Sequence, residues 1–165
     1  MEESLHPNKE LIDEIKRIKL TNPHLKVFGL SNIPAQDFQK LKPLIDEWDI
    51  FDDFYASGLT GLRKPDIACY EKFLGDCNID PETCVFVDDR IENVIAAQSL
   101  GFRGVHFKDT NSTAVILNNL FGDPVARGME FLSRNAKKLF CETDTGEIQP
   151  DNYSQLLILE HTGDR

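Results

Sequence analysis

The chain has 165 residues, 41% hydrophobic and 28% charged, the make-up of an ordinary globular domain with enough material for a core. Its 28 acidic and 18 basic side chains leave a net charge of −10, and no basic cluster offers a surface to nucleic acid or an anionic membrane. No apolar run approaches the ~18 residues of a membrane helix. The opening MEESLHPNKE carries no signal or transit pattern, and Cys69, Cys77, Cys84 and Cys141 include no Cys-x-x-Cys pair, so a cytoplasmic setting with reduced thiols is expected.

In chain order, KELIDEIKRIKL (9–20) places Leu11, Ile12, Ile15, Ile18 and Leu20 near one helical face. KVFGLS (26–31) reads as a buried strand. A helix follows over 35–47 with Phe38, Leu41, Leu44 and Ile45 inward and Pro43 as a site of bending or splitting. FYAS (54–57) is a short strand. Pro65 suits the first turn of a helix through Ile67, Tyr70, Phe73 and Leu74. VFVDD (85–89) is the next strand, 91–100 a helix burying Ile91, Val94, Ile95 and Leu100 and closed by Gly101, GVHF (104–107) a strand, and 112–120 a helix. Trp48 reads as core packing and His106 as a sheet-end residue rather than a ligand.

Strand and helix alternate four times, and the strands are apolar throughout, which predicts an α/β fold: a parallel sheet covered by helices on both faces. The alternation stops near residue 124. Residues 1–124 are therefore expected to form the core and 125–165 a helical extension, with one amphipathic helix over 126–140 and a last one, YSQLLILE (153–160), started by a capping-box variant of Asn152 and Gln155.

In a parallel sheet the chemistry gathers at the C-terminal ends of the strands, where Ser31, Ser57 and Asp88-Asp89 fall. Ser31 and Asn32 (LSN, 30–32) offer a hydroxyl and backbone N–H groups to a phosphate oxygen; a helix N-cap uses the same residues. Lys64 (RKPD, 63–66) precedes a helix N-terminus, where a cation opposes the dipole, so either an anion partners it or it is a solvated surface lysine. In CVFVDDR (84–90) three apolar residues run into two carboxylates. One carboxylate of the Asp88–Asp89 pair could hold Mg2+ through oxygen, with Asn93 one turn on as a brace. Alternatively, Asp89 caps the next helix while Asp88 pairs with Arg90.

LSN, the Lys64 of GLRKPD and VFVDDRIENVIAAQSLGF (85–102) resemble the second, third and fourth motifs of the haloacid dehalogenase superfamily, over roughly residues 9–108. The resemblance implies a Rossmann-like core and a Mg2+-dependent phosphatase-type hydrolase acting on a small phosphorylated metabolite. Ser31, Asn32 and Lys64 would hold the phosphate, Lys64 and Asp88 would serve catalysis, and Asp89 with Asp88 would bind the metal. True dehalogenases of the superfamily usually lack the acidic pair, so phosphate-ester chemistry is implied rather than C–halogen cleavage. The segment 131–165 resembles the joint between the dehalogenase-like and terpene-cyclase parts of some fungal bifunctional proteins.

The superfamily's first motif, Asp-x-Asp-x-Thr, bears its nucleophile and acid–base. No two Asp residues here are separated by a single position. Glu142-x-Asp144 follows a short apolar run but reads more simply as a turn. The expectations are then a hydrolase completed by a second chain or a missing N-terminal segment, a catalytically inactive binding module, or a truncated remnant. In the family the missing strand is central, so strands 26–31 and 84–89 are expected to pair directly, or the domain to be unstable alone.

Overall fold

The structure, a computed structural model, describes residues 7–121 and 155–158. Helix α1 (Lys9–Thr21) starts where the Asn8 side chain accepts from Leu11 N–H, and it buries Leu11, Ile15 and Ile18. Leu20, expected inside, is 82% exposed, because it lies off the stripe those three residues define. Strand β1 (Lys26–Ser31) is buried from its second residue onward. Helix α2 (Ala35–Trp48) runs through Pro43 unbroken and stops at Asp49 in a left-handed conformation, φ 52°, which Asp tolerates better than most residues.

Strand β2 (Asp53–Ala56) leads into a four-residue turn of helix, α3 (Ser57–Thr60). Helix α4 (Ile67–Cys77) begins two residues after Pro65, not at it; Pro65 stands in the preceding turn, after a cis peptide bond. Strand β3 (Cys84–Asp88), helix α5 (Ile91–Ser99), strand β4 (Arg103–His106) and helix α6 (Thr110–Phe121) follow. Gly101 closes α5 at φ 103°, where a side chain would be strained.

All strand pairings are parallel. Period-2 alternation sends the side chains of β1 and β3 to two cores. Val27, Val85 and Val87 pack with Ile15, Ile18, Ile45, Trp48 and Leu117 from α1, α2 and α6. Phe28, Leu30, Cys84 and Phe86 pack with Tyr70, Phe73 and Ala97 from α4 and α5. On α5 the helix turns Val94 and Ala97 inward and leaves Ile91 and Ile95, both expected in the core, on the outer surface.

The strand order is β2-β1-β5-β3-β4, with β5 formed by Gln155–Ile158. This corrects two expectations. Residues 155–158 form a strand where a helix was predicted. And β1 does not pair with β3: β5 lies between them, Phe28 and Phe86 both standing opposite Leu157. Direct pairing loses because the facing edges of β1 and β3 find their backbone partners on a third strand. The expected helix over 126–140 lies outside the described residues. From β1 the chain winds outward to β2, and from β3 it winds the other way to β4. The crevice at the strand ends between them is a topological switch point.

Candidate functional site

The six predicted site residues Ser31, Asn32, Lys64, Asp88, Asp89 and Asn93 gather at that end of the sheet. β1 ends at Ser31, which is 3% exposed, and its Oγ has no hydrogen-bond partner. Helix α2 has Pro34 at its N-cap position and no side-chain cap, so neither Ser31 nor Asn32 caps it. Asn32 is spent instead on Lys64: its Nδ2 donates to the Lys64 carbonyl and its Oδ1 accepts from Lys64 N–H, both at 2.8 Å. That two-way clamp holds the Lys64 backbone beside the end of β1.

Lys64 is no surface lysine; it is 5% exposed. Its Nζ donates to the Leu30 carbonyl at 2.6 Å and to Asp88 Oδ2 at 3.2 Å. An ammonium has three N–H groups, so a third remains for a ligand. Burial pulls Lys64 down to about 8, against the opposing attraction of Asp88.

Asp88, 2% exposed, is the inner carboxylate of the pair. Besides Lys64, its Oδ2 accepts from Asn93 Nδ2 at 2.8 Å, and its Oδ1 accepts from Arg90 N–H at 2.8 Å. The Arg90 side chain goes to Glu92, also at 2.8 Å, so the Asp88–Arg90 ion pair of the alternative reading does not form and Asp88 takes the Arg90 backbone N–H instead. Burial raises Asp88 above the ordinary carboxylate range, with Lys64, Arg90 N–H and Asn93 pulling it back and a hydrogen bond with Asp89 pushing it further up.

Two residues join the site that sequence reasoning left in the core or at a sheet end. Tyr70 donates its buried hydroxyl to the Asn93 carbonyl at 2.9 Å, and His106 Nε2 lies 2.9 Å from the Asp89 carbonyl. A buried tyrosine needs a partner for its hydroxyl; that rule points to Tyr70 but does not name the partner. Ser57, also at a strand end, bonds the Ile33 carbonyl at 3.2 Å and supports the loop after β1.

Among the described residues no group of three or more His, Cys, Asp or Glu could cage a metal ion. Mg2+ does not require one: it takes one or two carboxylates and fills its other positions with water and phosphate oxygens. Asp88 is buried with its oxygens occupied by three donors, and Asp89, beside it, is the more exposed carboxylate of the pair and the one nearer to water. The contact between two adjacent carboxyl groups is one that a divalent cation would relieve. The donor set therefore fits Mg2+ through Asp89, with Asp88 behind it.

The match to the family model of haloacid dehalogenase-like hydrolases covers residues 6–101. The chain belongs to that family. A second model, the sesquiterpene cyclase astC-like C-terminal domain, matches residues 125–165. Similar proteins include drimenol cyclase drtB of Aspergillus calidoustus, 44% identical over 87% of this chain and 27% of its own length. Sesquiterpene phosphatase astK of Aspergillus oryzae is 39% identical over 72% of this chain and 59% of its own. The chain thus spans about a quarter of the first and under two thirds of the second. Among solved structures, an uncharacterized protein from Corynebacterium glutamicum superposes with a TM-score of 0.62 at 23% identity, over 73% of this chain and 90% of its own. A HAD family enzyme from Bacteroides thetaiotaomicron does so with 0.52 at 24% identity, over 62% and 51%. These two show the same fold. In this member of the dehalogenase-like family, Ser31 and Asp88 end β1 and β3, and Lys64 reaches in from the turn before α4 to bond the Leu30 carbonyl and Asp88. No helix among the described residues is long and apolar enough to cross a membrane.

Proposed function

We propose that this crevice is the phosphate-binding, Mg2+-assisted site of a phosphatase-type hydrolase. Its substrate would be a small phosphorylated metabolite, and the first candidate is a sesquiterpenyl monophosphate, since astK is a sesquiterpene phosphatase. One observation carries the reading. A buried hydroxyl without a partner, Ser31 Oγ, ends the strand whose Leu30 carbonyl anchors the Lys64 ammonium, and that ammonium has an N–H to spare. A buried donor left unsatisfied costs ~1–3 kcal/mol, and an anionic oxygen would satisfy both groups.

In this reading Ser31 donates to a phosphate oxygen and Lys64 offsets its charge. Asn32 holds Lys64 in place, Asp88 orients the ammonium, and Asn93 braces Asp88. Asp89 holds Mg2+, which when bound screens the charge that builds on the phosphoryl oxygens.

A second reading, binding without turnover, is favoured by the lack of any Asp-x-Asp pair in the sequence. Turnover then needs a nucleophile from a second chain or from sequence outside these residues. The test is hydrolysis of p-nitrophenyl phosphate and farnesyl monophosphate by the full chain, with and without Mg2+, alongside Asp89→Asn. Mg2+-dependent release of phosphate that Asp89→Asn lowers at least about a hundredfold supports the hydrolase. Phosphate binding without release supports the binding module. Neither binding nor release sinks both.

A further inference from the structure

The two halves of the site stand on strands that are not bonded to each other. Ser31 ends β1 and Asp88 ends β3, and β5 pairs with the part of each strand before the site, residues 26–29 and 84–87. Lys64 spans the gap with its side chain, from the Leu30 carbonyl on one strand to Asp88 on the other. Its ammonium reaches the two oxygens through bonds of 2.6 and 3.2 Å, and β5 sets how far apart the two strands themselves stand: two strand spacings of ~4.8 Å each. Yet β5 belongs to residues 125–165, which match a different family model from the core, that of a cyclase C-terminal domain.

We propose that Gln155–Ile158 is an integral central strand of the hydrolase-like core, through which the C-terminal segment sets the geometry of the anion site. With β5 in place, Lys64 bridges Leu30 and Asp88. With β5 withdrawn, the inner edges of β1 and β3 lose their ladder, the strands close or splay, and the bridge fails. The boundary near residue 124 then divides the sequence but not the folding unit. The anion-site part of this inference rests on the proposed function; the role of the strand does not.

Hydrogen exchange on the full chain tests it, with isothermal titration of inorganic phosphate plus Mg2+ run in parallel. The amides of Gln155–Ile158 are expected to exchange at least about a hundredfold more slowly than an unstructured chain, as do those of β1 and β3. Exchange of 155–158 at the unstructured rate, with β1 and β3 protected, overturns the proposal. Leu157→Pro in the full chain removes a ladder donor from a central strand. It should lower protection in β1 and β3 at least about tenfold; unchanged protection there overturns the proposal as well. Protection of the strand without phosphate binding would sink only the proposed function. Phosphate binding with an unprotected strand would sink only this inference.

Discussion

Lys64 and Asp88 form a buried ion pair in which burial works against both charges, and this gives the site a pH signature. The folded Lys64 releases its proton near pH 8, whereas an unfolded lysine holds it to about 10.4. Across that window the unfolded chain binds more protons, so this group makes stability rise with pH, by an amount on the order of 2 kcal/mol. Urea unfolding in EDTA at pH 8 and pH 10 should show that increment in the wild type relative to Lys64→Met; parallel curves for the two proteins would contradict it. Removing the other partner is a sharper lesion. Asp88→Asn strands the ammonium in the interior and is expected to cost about 3 kcal/mol, the lower end of the range for such pairs because Lys64 can shed its proton. Asp89→Asn should change stability by less than about 1 kcal/mol, since Asp89 is half-buried and its charge opposes Asp88. Equal losses in the two variants would remove the distinction drawn between them. The acidic pair was legible in the sequence because two carboxylates after a buried strand need a cation. Which of them faces inward was not, because that depends on where β3 ends, and it ends at Asp88.

At the scale of elements, the apolar pattern located α1, α2, α4, α5, α6 and β1 through β4 to within a few residues, because each had a buried stripe or run to betray it; it missed α3, a single turn of helix with no buried residue. It misplaced Ile91 and Ile95, since α5 presents apolar positions at spacings that fit two neighbouring faces and only packing against β3 and β4 chooses between them. It also took QLLIL for a helix; a short apolar run reads equally as strand or helix, and its partners in the sheet decide. Small residues show where elements touch. A Cβ on Gly58 would sit 2.1 Å from the Ala35 backbone nitrogen and 2.6 Å from the Pro34 carbonyl carbon, where α3 crosses the entry to α2. Gly58→Ala must push backbone apart and should cost at least about 2 kcal/mol. Gly75, in the exposed part of α4, has nothing within 4 Å of a built Cβ, so Gly75→Ala should be neutral or stabilise by about 0.5–1 kcal/mol. Thermal melts of the two variants check this, and a loss at Gly75 matching that at Gly58 would show that the contacts do not govern.

Across the whole molecule, one five-stranded parallel sheet draws on two stretches of sequence that match different families. The site sits where the winding direction reverses, between strands that share β5 as a neighbour. The parallel α/β architecture was visible in the alternation of buried strands and helices, and the need for a central strand was visible in the lack of a first motif. The supplier of that strand was not, because a pairing with residues so remote in the chain leaves no local periodicity. In the proposed reading, Ser31, Lys64 and the Asp88–Asp89 pair together form an anion site. The most direct measurement is isothermal titration of inorganic phosphate into the full chain with Mg2+, repeated on Ser31→Ala and Lys64→Met. Saturable binding is predicted, weakened about tenfold by loss of the Ser31 hydroxyl and abolished by loss of the Lys64 charge. A wild type that binds no phosphate, or a Lys64→Met variant that binds it as well as the wild type, would contradict the account.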